Sequence, residues 1–258
     1  MTTTGSPRRT RWFTTSGADP NADHQVFLLP HAGGTAPAYQ AWAATLPSTM
    51  EVRTLQLPGR QERLAEEPYT EVEPLVDALL EAFEAELDGR PYVLLGHSFG
   101  GLLAYRLSVA AEWNGLPAPA LLAVSAWAPG LEPAAELARV ASMSDDELLA
   151  RVAQLGLMQE GATLDPATLA SIMPALRADF LAAGSLREDG EPAPCPVAAY
   201  CGTSDPIAAP AGMAAWEDHC TDFLGAAEFP GSHFYFFEHT AAVQHSLVRH
   251  LRRLTARA

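Results

Sequence analysis

Lysine is absent from the chain. All 16 basic residues of the 258 are arginine, against 31 acidic residues, and the formal charge is -15. A surface of that sign repels phosphate backbones and anionic lipid, so neither nucleic acid nor a membrane is an expected partner. No apolar run reaches the roughly 18 residues of a membrane span. Arg8, Arg9 and Arg11 have no apolar segment behind them, so the start does not read as a secretory leader. Cysteine is scarce: Cys195, Cys201 and Cys220 are odd in number and lack Cys-x-x-Cys spacing. That argues against a disulfide framework or a zinc site and for free thiols in a reducing, cytoplasmic location. The His-Glu-x-x-His spacing of metalloproteases is missing too, and no metal is expected.

What is present suits one α/β domain over residues 24–258, with 1–23 read as a flexible tail. Apolar residues make up 48% of the chain, enough for a sizeable core. Short apolar runs over 25–29, 51–57, 92–96, 121–127, 197–201 and 226–229 read as buried strands. Between them lie segments of helical period. Leu75, Val76, Leu79, Leu80, Phe83 and Leu87 mark one, with acids opposite and Gly89 as its stop; residues 239–254 mark a closing amphipathic helix. Alternation of this kind implies a mostly parallel sheet covered on both faces.

One interval is too long for a simple crossover. Residues 132–187 are predicted to be a helical insertion. Ser144-Asp145-Asp146-Glu147 reads as a capping box, and Asp165-Pro166 as an N-cap followed by proline at the first helical position. Inserted after a strand, these helices are expected to lie over the carboxyl edge of the sheet as a lid; the alternative is a helical extension packed on the core.

The chemistry gathers at that edge. In Gly96-His97-Ser98-Phe99-Gly100-Gly101 an apolar strand stops at a glycine, and a helix begins directly after the serine. Five letters alone are weak, but the strand–turn–helix setting is that of a nucleophile elbow, whose turn leaves no room for a β-carbon at Gly96 or Gly100. A serine needs a base, and the base an orienting carboxylate. Reading forward, strands deliver Gly202-Thr203-Ser204-Asp205 and then Gly231-Ser232-His233, both to the edge that holds Ser98. Ser98, Asp205 and His233 are therefore the candidate triad, in the chain order of elbow-type hydrolases. The backbone N–H of Phe99, and that of Ala32 beside Gly33-Gly34, are the candidate oxyanion donors. His97 and His31 are expected to pack, and His219, His239, His245 and His250 to lie on helices at the surface.

Taken together, these residues resemble the external, or type II, thioesterases of polyketide and nonribosomal peptide assembly lines. The likeness rests on Leu29-Pro30-His31-Ala32-Gly33-Gly34, Leu57-Pro58-Gly59-Arg60-Gln61-Glu62-Arg63, the elbow, Gly202-Thr203-Ser204-Asp205, and Gly231-Ser232-His233-Phe234-Tyr235-Phe236. It spans about residues 26–251. The resemblance implies an α/β-hydrolase fold with a helical lid, and hydrolysis of aberrant or stalled acyl groups from the phosphopantetheine arm of acyl or peptidyl carrier proteins. The arm belongs to the substrate, so no cofactor is implied, and the chain is read as a monomer. Carrier proteins of this kind are acidic, which makes Arg60 and Arg63 candidates for a basic docking patch; the competing reading is an ion pair with nearby acids. A carboxylesterase or lipase, an acyltransferase and a noncatalytic binding protein on the same fold are the alternatives.

Overall fold

A computed structural model describes residues 11–15, 19, 21–131, 134–155, 165–187 and 190–256. Its centre is a sheet of seven strands: β1 (Phe13–Thr15), β2 (His24–Leu29), β3 (Met50–Leu55), β4 (Tyr92–His97), β5 (Leu121–Ser125), β6 (Ala193–Gly202) and β7 (Cys220–Phe229). The spatial order is β1-β3-β2-β4-β5-β6-β7. Every pairing is parallel except that of β1 with β3. All six residues of β4 are buried, as a strand covered on both faces requires.

Helices α1 (Ala36–Ala43), α2 (Val72–Glu84) and α3 (Phe99–Trp113) follow β2, β3 and β4 in the usual crossover manner. On α2, Leu75, Val76, Leu79 and Phe83 are buried while Glu73, Asp77, Glu81 and Glu84 face out, as the periodicity predicts. Burying a side chain of that size stabilises by about 1.5–3 kcal/mol. Among the described residues, three helices occupy the predicted insertion: α4 (Ala134–Ala141), α5 (Asp145–Gln154) and α6 (Pro166–Gly184). Both start signals hold. Ser144 and Glu147 form a reciprocal capping box on α5, and Asp165 accepts from the amides of Ala167 and Thr168 ahead of Pro166 on α6. The chain closes with α7 (Tyr235–Glu238) and α8 (Thr240–Thr255).

The expected tail, 1–23, is corrected in part. Phe13–Thr15 form β1, and the Phe13 ring meets Phe27 edge-on with centroids 5.2 Å apart. Three residues are too short to show a period, and the strand exists because the edge of β3 offers it partners. The rest of that expectation, at 1–10, 16–18 and 20, lies outside the described residues, as do 132–133 and 156–164 of the insertion. Strand ends also differ: β6 and β7 begin several residues earlier than their apolar runs suggest, because Pro194, Pro196 and Asp222 interrupt those runs without ending the pairing.

The site lies where the order of the strands reverses. The connection from β2 leads to β3 on one side, and that from β3 returns to β4 on the other. The crevice this leaves at the carboxyl ends of β2 and β4 is the usual ligand position in open α/β sheets. The loop with Ala32 follows β2, and Ser98 follows β4.

Candidate active site

Ser98 sits between β4 and α3 with φ 54° and ψ -121°, a conformation that a residue with a side chain seldom adopts. The surrounding glycines show why it is held there. A β-carbon on Gly96 would lie 2.0 Å from the carbonyl oxygen of Gly100, and one on Gly100 would lie 2.0 Å from that of Leu29. The elbow is thus packed against its own next turn on one side and the end of β2 on the other.

The three side chains chosen from sequence meet. Oγ of Ser98 is 2.9 Å from Nε2 of His233, and Nδ1 of His233 is 2.8 Å from Oδ2 of Asp205. The other carboxylate oxygen of Asp205 accepts from the amides of Ile207 and Ala208 at 2.8 and 3.0 Å, which fixes its plane. Burial alone would raise the Asp205 carboxyl. The hydrogen bond and charge of His233, with the two amides, outweigh it and hold the group below the usual range. Such a line can move a proton from the hydroxyl to the imidazole and stabilise the imidazolium that results.

Phe99 is the first residue of α3, where an amide has no intrahelical partner. Neither its N–H nor that of Ala32 donates to another group among the described residues. Both residues line, with Ser98, a cavity of about 270 Å³. Its far wall comes from the insertion: Leu137 of α4, and Asp179, Phe180 and Ala183 of α6. The insertion therefore lies over the nucleophile, as a lid does. Ala126, at φ 54° directly after β5, is a second strained residue that lines the cavity.

Arg60 and Arg63 are corrected. Each is 4% exposed, too buried to dock a partner, and the ion-pair reading holds for both. The Arg60 guanidinium forms a two-pronged pair with Asp179 at 2.7 and 2.8 Å. That of Arg63 pairs with Glu66, donates to the Gln56 carbonyl and lies over the Trp12 ring. Sequence could not separate the two readings, because the acid opposite Arg60 is 119 residues away.

Two histidines pack behind the line, as expected. His31 contacts the Tyr39 hydroxyl, and burial, reinforced by His233 and Arg60, pushes it down to about 3. Through Nδ1, His97 contacts Ser125, whose hydroxyl meets that of Tyr235. Burial, then its histidine neighbours, keeps His97 well below the usual range. Sequence reasoning missed Tyr39, Ser125, Tyr235 and Asp179. Only Asp179 left a signal, a lone acid on the buried side of α6 beside Leu176 and Phe180. The four histidines expected at the surface divide: His245 is exposed, His219 and His239 are half-buried, and His250 is buried near Tyr200. His219 and His239 lie in turns, not on helices. All three cysteines are free.

Comparison with known proteins gives the same picture. The profile of the thioesterase domain family matches residues 24–255. Gramicidin S biosynthesis protein GrsT of Aneurinibacillus migulanus is 29% identical over 95% of this chain and 96% of its own. The solved structure of the type II thioesterase BorB, from the borrelidin biosynthetic cluster, superposes with a TM-score of 0.82 at 34% identity, covering 93% of this chain and 97% of that one. RedJ, a thioesterase from the prodiginine pathway in Streptomyces coelicolor, gives 0.79 at 31% identity over 89% and 88%. A serine at a strained elbow, a sheet of this order and a match over nine-tenths of the length converge on one assignment: the chain belongs to the thioesterase domain family and is a serine hydrolase of the α/β-hydrolase fold.

Proposed function

We propose that the protein is a type II, editing thioesterase. It hydrolyses aberrant or stalled acyl groups from the phosphopantetheine arm of acyl or peptidyl carrier proteins in polyketide or nonribosomal peptide biosynthesis. The observation that carries this reading is the position of Ser98. Its hydroxyl lies 2.9 Å from the base and opens into an acyl-sized cavity roofed by the inserted helices.

His233 takes the Ser98 proton as Oγ attacks the thioester carbon. The carbonyl oxygen becomes an oxyanion facing the amides of Ala32 and Phe99. The C–S bond then breaks. A thiolate leaves more readily than an alkoxide, so His233 has little work as an acid and returns the proton to sulfur. Water next attacks the acyl-serine, His233 accepts its proton, and a free carboxylic acid departs as Ser98 is regenerated. Asp205 stays ionised throughout and holds the imidazole in register. Metal and cofactor have no part in these steps, because the arm arrives with the substrate. A cytoplasmic location, where the synthases and free thiols are found, completes the reading.

Mass spectrometry of carrier proteins loaded with a panel of acyl groups tests it. Added protein should strip the acyl mass and leave the free arm, while Ser98→Ala should leave every carrier loaded. Intact carriers beside rapid cleavage of matched oxygen esters would reject it in favour of an esterase.

A further inference from the structure

The loop that carries Ala32 is gripped by the lid. His31 to Gly34 form a β-turn: the Gly34 amide donates to the His31 carbonyl at 2.8 Å, and Gly33 takes the positive φ of 71° that such a turn needs. The His31 carbonyl and the Ala32 N–H share one peptide plane. Tying that carbonyl to Gly34 aims the Ala32 N–H the opposite way. The next plane is held from outside the loop, since the Gly33 amide donates to Oδ2 of Asp179 at 2.7 Å. Asp179 is in turn locked by both prongs of Arg60, which also donates to the Gly34 carbonyl at 3.3 Å. Asp179 is 2% exposed and Arg60 4%. Packing agrees: a β-carbon on Gly33 would lie 2.9 Å from Cδ1 of Leu176, one turn before Asp179 on α6.

From this geometry we propose that Asp179 is a positioning residue for the oxyanion hole, so that the hole is complete only while α6 is seated. Arg60 holds the Asp179 carboxylate against the Gly33 amide. The inserted helix thereby does more than enclose the acyl group. Lifting α6 withdraws the acceptor that fixes the Ala32–Gly33 peptide, and the Ala32 N–H loses its aim. The inference rests on the reading of Ser98 as nucleophile and Ala32 as donor.

Two double variants isolate the contact. Arg60→Met with Asp179→Asn removes both charges and keeps an acceptor for Gly33; Arg60→Met with Asp179→Leu removes the acceptor as well. With the propionyl thioester of N-acetylcysteamine, the second should show a kcat about 10²-fold below the first, the cost of losing one oxyanion donor, at similar KM. A propyl trifluoromethyl ketone, which forms a tetrahedral adduct on serine, should lose affinity by the same factor. Equal kcat and equal ketone affinity in the two variants would overturn the proposal. A measurement on the unaltered protein does not depend on either variant folding. The Gly33 amide and the amides around residue 179 should exchange with deuterium at one common rate, and both should slow when the ketone binds; independent rates would also overturn it. Fluorophosphonate labelling of Ser98 separates the two levels. If the unaltered protein takes neither label nor ketone, the nucleophile reading itself fails. If it takes both and the variants match, only the role of Asp179 falls.

Discussion

Replacing Asp205 with asparagine probes the far end of the proton path. One oxygen of Asp205 accepts from the Ile207 and Ala208 amides, and the other faces Nδ1 of His233 at 2.8 Å. Asparagine has the same shape but a single oxygen. The two amides are donors, so that oxygen must take their side, and the NH₂ must point at Nδ1. A donor opposite Nδ1 forces the ring proton onto Nε2, where it faces Oγ of Ser98 and cannot accept the hydroxyl proton. The expected loss is about 10⁴-fold in kcat, or about 5 kcal/mol of transition-state stabilisation. Stability should change far less, because both amide contacts survive. Losing one charge-assisted hydrogen bond costs about 2 kcal/mol, a fall of about 4–8 °C in Tm for a chain of this size. Steady-state thiol release from the propionyl thioester of N-acetylcysteamine, with melting followed by circular dichroism, gives both numbers. A fall in kcat under tenfold in a folded variant would refute the reasoning, as would a change confined to KM.

Gly100→Ala places a β-carbon 2.0 Å from the Leu29 carbonyl oxygen, so α3 or the end of β2 must yield by more than 1 Å. Overpacking of that kind costs about 1–3 kcal/mol, and a displacement near 1 Å at the donors about 10²-fold in kcat; a Tm and kcat like those of the parent would contradict the geometry. His31 carries a pH dependence. Burial, with the charges of His233 and Arg60, holds it near 3 in the folded protein, below the 6.5 of an unfolded chain, so the unfolded state binds the proton first. Its contribution is intact above about pH 6.5 and is lost as pH falls toward 3, by up to about 1.4 kcal/mol per pH unit. Urea titrations of His31→Phe between pH 6 and 4 should show a slope flatter by that amount, and an unchanged slope would count against it. Ala183→Phe fills part of the acyl cavity. Excluding two or three methylenes at about 0.8 kcal/mol each should lower kcat/KM for an octanoyl thioester by roughly 10–50-fold relative to propionyl, and a uniform effect on both chains would show that acyl groups do not lie there.

Some features were legible in the chain because they are local. The glycines of the elbow, the capping box at Ser144 and the Asp165-Pro166 start each depend on neighbours within a few residues, and each stands where the letters put it. The meeting of Ser98, Asp205 and His233 was legible for a related reason: alternating strands and helices deliver every βα loop to one edge, so residues 107 and 135 positions from Ser98 along the chain could be assigned to one site before any distance was known.

Tertiary structure alone decided which arginines are buried, where the acid opposite Arg60 lies, and that an edge strand forms from residues 13–15. None of these has a local cause. Arg60 looked available for docking until a helix 119 residues later supplied Asp179, and β1 exists only because β3 presents an open edge. Composition placed the net charge, but folding decides which charges remain to meet a partner, because a guanidinium satisfied on both prongs in the interior has nothing left to offer outside.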